Sequence, residues 1–208
     1  MASLFVGLEA YEHDVARRLA EEEARLAARN LMQAGGPSLH VGIVPREFYE
    51  RGRAMFSPCG NRPKSISLFH DRRGAVFRGC DGGYEATEID FHEKVISRTF
   101  VGHDWFVHAH VAHAFTADAS GRVRLHEFKS DLTTFLADLD EFLTEEGLRG
   151  PFCVALAVRN LRRSEKVAWV FPAAEAVELP RGALVERVAA PTLIDTFHGQ
   201  LLGASRYG

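Results

Sequence analysis

Cysteine is scarce in this chain and widely spread: Cys59, Cys80 and Cys153 are the only three in 208 residues. So few, so far apart, they exclude a disulfide framework and a zinc knuckle. No apolar run reaches the length of a membrane span, because Asp, Glu, Lys or Arg interrupts nearly every window of that size. The opening MASLFVGLEAYEHD has no basic stretch and no cleavage-like site, so it does not read as a secretory signal. Also lacking are a Gly-x-Ser-x-Gly elbow, a phosphate loop ending in Lys-Ser/Thr, a dinucleotide fingerprint and any internal repeat. The simplest compartment is the cytoplasm, with no membrane partner.

What is present suits one globular domain. The chain is 46% hydrophobic and 25% charged, enough for a sizeable core. Its net charge of −3 argues against a generally nucleic-acid-seeking surface, but the charge is unevenly distributed. Residues 45–80 hold eight Arg/Lys against three acids, net +5; residues 118–147 hold three against eight, net −5. Arg62, Lys64, Arg72, Arg73 and Arg78 are therefore the candidate nucleic-acid contacts. A solvated loop and a solvated helix face would give the same distribution.

Periodicity divides the chain into an N-terminal helix (1–36) and an α+β domain (37–208). Val15, Leu19, Leu26 and Leu31 form one apolar stripe on a helix expected over 8–33, stopped by Gly35-Gly36-Pro37. Residues 39–44 alternate as a strand. A helical turn is expected over 46–53 and a loop over 57–63. Runs 66–69 and 75–78 flank a turn to make a hairpin, and 84–89 and 95–101 read as further strands. Residues 105–115 and 123–128 should pair around a turn at 118–121. Ser130 then caps an amphipathic helix over 130–146, carrying Leu132, Phe135, Leu136, Leu139, Phe142 and Leu143, with Gly147 as its exit. Residues 152–158 are apolar on both parities, which marks a central strand. Residues 166–171 are expected to pair beside it, and a short helix with Leu193, Ile194, Phe197 and Leu201 closes the chain. The expected architecture is a mainly antiparallel sheet with helices packed on a face.

The stretch Asp104-WFVHAHVAHAF concentrates the titratable groups. One parity (Trp105, Val107, Ala109, Val111, Phe115) belongs to a core; the other (Phe106, His108, His110, Ala112, Ala114) suits a partly open face. His108 and His110, two apart on a strand, can reach one metal ion, and a third ligand from a neighbouring strand would complete the site. Gly102, His108, His110 and Gly121 resemble the first cupin motif in spacing, but Ala114 stands where that motif needs glutamate. His113, on the opposite parity, reads as a half-buried, hydrogen-bonded histidine facing His126.

Glu127-Phe128-Lys129, read as a strand end before a helix and an apolar strand, resembles the PD-(D/E)xK nuclease core. That resemblance implies Mg²⁺ or Mn²⁺ held by Asp104 and Glu127, with Lys129 positioning the attacking water and Glu21–Glu23 mimicking the family's helix glutamate. A turn at 118–121 would instead leave Asp104 roughly 20 Å beyond Lys129's partner along the strand. Segment 121–161, with Gly121-Arg-Val, the 132–143 helix, Gly147-Leu-Arg-Gly-Pro151 and Val154-Ala-Leu-Ala-Val-Arg-Asn-Leu161, resembles another group. It is similar to the region that follows the AlbA-type (Schlafen-like) DNA-binding domain in bacterial proteins, although the DNA-binding half is missing. This implies a fold and an accessory, assembly-type role. Two functions are thus expected: a non-catalytic binding module contacting a protein or nucleic acid without cofactor, or a metal-dependent nuclease.

Overall fold

The computed structural model describes residues 2–28, 36–45, 56, 64–118, 120, 122–179 and 183–206; for 2–12 and 71–73 it describes the backbone alone. The helical turn and loop expected within 46–63 lie outside the described residues, apart from buried Phe56.

The first helix, α1, spans Ala2–Ala28, and β1 (Ser38–Pro45) follows. Strands β2 (Ser65–Leu68) and β3 (Asp71–Val76) form the expected hairpin as a small separate sheet, with a turn tighter than its sequence implied. Next come β4 (Arg78–Cys80), β5 (Gly83–Ile89), β6 (Val95–Gly102) and β7 (Val107–Ala112). Helix α2 (Leu125–Glu145) precedes β8 (Phe152–Arg159). The chain closes with α3 (Glu165–Val170), β9 (Val177–Glu178), β10 (Ala183–Val185) and α4 (Pro191–Ala204). The main sheet is antiparallel, ordered β10-β8-β1-β7-β6-β5-β4, with β9 also paired to β8. This is the expected α+β class.

Residues 105–115 give a shorter strand than their alternation predicts. Trp105 (φ 66°) and His113 (φ 53°) both sit in the left-handed region, which breaks the pleat at either end. The Phe106/His108/His110/Ala112 parity, expected on a partly open face, is fully buried, because α1 covers it in cis. His113 is exposed instead of half-buried, and His126 is on a helix rather than opposite it.

The expected strand 123–128 is a correction. Among the described residues, a single bridge, Ala117–Val123, forms there before α2 starts five residues ahead of Ser130. Asp118 locks the turn by accepting from the Ser120 and Arg122 backbone N–H groups at 2.9 Å each. Leu125, Phe128 and Leu132 then meet the core at helical, not alternating, spacing, and Glu127 lies in the first turn where the helix dipole favours an acid. Residues 165–170 are also helical rather than extended: Val167 and Val170, three apart, are buried while Trp169 is exposed. Gly147 (φ 75°) makes the expected left-handed exit, with Leu148 N–H returning to Leu143 O at 2.9 Å.

Helices therefore cover both sheet faces. One face, with Leu39, Val41, Ile43, Val107, Ala109, Val111, Val154, Leu156 and Val158, joins Phe128, Leu132, Leu136 and Leu139 of α2 and Phe197 and Leu201 of α4 in a single apolar core. The other face packs Val44, Phe106, Cys153 and Ala155 against Val15 and Leu19 of α1 in a much smaller cluster.

On α2, Asp140 is 3% exposed yet carries a carboxylate. It accepts from Arg187 Nε at 2.9 Å and from the buried Val188 N–H at 2.8 Å, fastening the segment before α4 to α2. Asp140→Ala orphans that N–H and should cost about 2 kcal/mol. Urea denaturation should show a lower midpoint for Asp140→Ala than for the wild type; an unchanged midpoint would mean that the Val188 and Arg187 contacts contribute nothing.

Candidate functional site

Alternation fixes the site. On the face under α1, β1 presents Ser38 and His40, β7 presents His108 and His110, and β6 presents Arg98. The register places Ala157, His40, His110 and Arg98 in one cross-strand row, and Gly42, His108 and Phe100 in the next. The His40 and His110 rings lie 4.8 Å apart between centroids, and those of His40 and His108 lie 5.9 Å apart. All three are buried, His108 completely.

Charged side chains frame this row. Arg98 donates to Glu85 Oε2 through Nε at 2.6 Å and to Glu22 Oε2 through Nη1 at 3.1 Å. Arg159 pairs with Glu23 Oε2 at 2.8 Å and Glu178 Oε2 at 3.1 Å. Arg18 of α1 pairs with Asp104, and Arg25 pairs with Asp81 Oδ2 at 3.3 Å. A cleft of about 480 Å³ opens along this seam, lined by Arg17, Arg18, Arg25, Phe100, Gly102 and Asp104 among others.

Within the row, hydrogen bonding is sparse. His40 Nε2 lies 3.0 Å from Ser38 Oγ, which also accepts from Asn160 Nδ2 at 3.4 Å. His40 Nδ1, both ring nitrogens of His108 and both of His110 are buried without a hydrogen-bond partner. Glu23 Oε1 stands 3.7 Å from His40 Nδ1, too far for a hydrogen bond. Each such orphaned group ordinarily costs about 1–3 kcal/mol, so five ring nitrogens in one patch need a physical reason. Among the described residues, no three His, Cys, Asp or Glu side chains are grouped so as to hold a metal ion as they stand.

Burial keeps these imidazoles neutral. It pushes His40 and His108 well below the ordinary histidine value; the neighbouring histidines and Arg159 add to the effect at His40, and Arg98 and His110 at His108. Burial, then Arg98, lowers His110 to about 4. Glu23 is raised by burial, against the opposing pull of Arg159.

The residues expected to form a nuclease site have separate partners. Asp104, at the β6–β7 turn, bonds Arg18 and accepts from Phe106 N–H at 3.2 Å. Glu127 and Lys129 lie on the first turns of α2, not at a strand end. Glu127 accepts from Arg124 Nη1 at 2.6 Å, which lowers its pKa, and Lys129 pairs with Asp195 Oδ1 at 2.8 Å. Glu22 pairs with Arg98 and Glu23 with Arg159. Of the candidate nucleic-acid contacts, Lys64 pairs with Glu146 at 3.1 Å and Glu145 at 3.6 Å, and Arg78 is exposed on β4. Arg62 and the side chains of Arg72 and Arg73 lie outside the described residues.

His108 and His110 do share a face, and the neighbouring strand does supply a third imidazole, His40. Its signal was in the sequence: in Leu39-His-Val-Gly-Ile, His40 holds the parity opposite to the core residues. No family model, curated protein or solved structure matches this chain.

Neutral burial has a pH signature. The unfolded chain protonates each imidazole near pH 6.5, whereas folded His110 does so only near 4. Between those values the unfolded state binds more protons, so stability is complete above pH 6.5 and falls on acidification. The slope is about 1.4 kcal/mol per pH unit for each histidine that stays neutral. Urea midpoints between pH 7 and 5 should show it, and His110→Leu should remove one histidine's share of the slope. A flat wild-type profile would mean that these rings protonate freely in the fold.

Proposed function

We propose that the chain is a non-catalytic binding module that engages a protein partner through the tip of the β5–β6 hairpin. The observation that carries this reading is Phe91, 89% exposed beside Ile89 at 57%. The tip is stiff as well as apolar. Asp90 Oδ1 accepts from the His92 and Lys94 backbone N–H groups at 2.8 Å each, and Asp90 N–H donates to Lys94 O at 2.8 Å. A pre-ordered aromatic loses little entropy on docking, which favours its use as an anchor.

Isolated exposed apolar residues are common on protein surfaces, but two on one braced turn are an economical contact. An accessory role in a nucleic-acid-associated assembly, as the resemblance of residues 121–161 implies, would fit such a contact; exposed Arg78 on the nearby edge strand gives it a cation.

A photoreactive phenylalanine analogue placed at position 91 of the full chain, in the cells that make it, should give a discrete covalent adduct with one protein. Ile89→Asp should reduce the yield about tenfold, the loss expected of an apolar anchor worth at least 1.4 kcal/mol. Labelling no different from that of a probe on an exposed face of α2 would overturn the tip as the docking element.

A further inference from the structure

Independently of the docking tip, the buried histidine row carries a chemistry of its own. We infer that His40, His108 and His110 together bind one Zn²⁺ ion between the sheet and α1. Imidazole is a preferred zinc donor, and two histidines at i and i+2 on one strand with a third on its antiparallel neighbour present three donors to a common point. In a tetrahedral site with Zn–N near 2.0–2.1 Å, ligand ring centroids lie about 5 Å apart. The observed 4.8 and 5.9 Å bracket that separation. The ring nitrogens do not converge as they stand. The imidazole χ2 torsion is broad, however, so rotating the rings re-aims them without moving either strand.

Hydrogen bonding singles out the donor atoms. Ser38 engages His40 at Nε2 and leaves Nδ1 unpartnered, the arrangement in which an outer partner fixes a ligating ring. His108 and His110 have all four nitrogens available. Glu23 Oε1 stands 3.7 Å from His40 Nδ1 and accepts from Arg159 Nε at 2.9 Å; by giving up that bond it can complete the coordination, which would tie α1 to the sheet through the ion.

The electrostatics permit a cation. Arg98 lies in the same row, but Glu22 and Glu85 already neutralise it, and Glu23 faces Arg159. With Glu178 on Arg159 and Arg25 on Glu22 also counted, carboxylates still outnumber guanidiniums around the three neutral rings. Three of the five orphaned nitrogens then have a reason: in zinc binding they become ligands.

The test uses untagged full-length protein, stripped with chelator and titrated with Co²⁺ and Zn²⁺. One equivalent of Zn²⁺ should remain after dialysis. Co²⁺ should give the intense visible absorption of a tetrahedral site, with three hyperfine-shifted exchangeable imidazole N–H protons by NMR. Those counts need no mutant, so they stand even if a variant misfolds. His40→Gln, its fold checked by circular dichroism, should lose more affinity than the 10–100-fold expected when Ser38→Ala removes only the outer partner. No stoichiometric uptake, fewer than three shifted N–H protons, or uptake unchanged in His40→Gln would each overturn the site.

Discussion

A guanidinium buried between a sheet and a helix has to be neutralised where it stands, and Arg98 sets that condition for the α1 side of this molecule. Its two partners come from opposite sides of the interface: Glu85 from β5 in the sheet, and Glu22 from α1. Removing either carboxylate leaves part of a buried charge uncompensated, which is far more costly than the pair itself is stabilising. The helix is therefore held in a definite register over the sheet by charge pairing more than by apolar area. Arg18–Asp104, Arg25–Asp81 and Arg159–Glu23 repeat the same logic along its length.

The two faces of the sheet divide the physical work. Toward α2 and α4, β1, β7 and the 154–158 part of β8 present aliphatic side chains, and aromatic rings such as Phe115 and Phe128, 4.9 Å apart between centroids, fill the space. Burial of that size supplies the hydrophobic term on which the fold rests. Toward α1, small residues at Gly42, Cys153 and Ala155 admit the helix and Val44 and Phe106 meet Val15 and Leu19, while beside this small apolar patch lie imidazole, guanidinium and carboxylate. Polar groups in such a place do not stabilise by themselves, so the arrangement is understandable only if the groups have partners or a ligand.

Much of this was legible in the sequence, and the exceptions share a cause. The stripe of α1, the run 152–158 and the terminal helix around Leu193 and Phe197 have clear periods; the last two appear where expected, while α1 buries Val15, Leu19 and Leu26 but begins at Ala2, six residues early, and Leu31 lies outside the described residues. Residues 123–128 and 166–171 are short segments whose apolar residues fit both a period of two and one of three to four. Tertiary packing of Phe128 and Val170 decided them as helix. The histidine pair was readable because strand alternation is strict. Its burial was not, since nothing local to residues 105–115 says that a helix ninety residues earlier lies across them. His40 could be joined to the pair only once the β1–β7 register was known, because register decides which residues face each other.

This division also says where the molecule can yield. The α2 side is a continuous apolar core whose parts cannot separate without exposing one another. The α1 side is joined mainly by ion pairs at its margin, with a small apolar patch and a polar row at its centre. Local opening favours the interface with less apolar burial, so the α1 cover should detach more readily than α2. Anything that binds the polar row, ion or proton, therefore acts first on whether α1 stays in place. The hairpin tip at Phe91 belongs to the sheet itself and keeps its shape in either state, because its bracing bonds come from Asp90 within the turn.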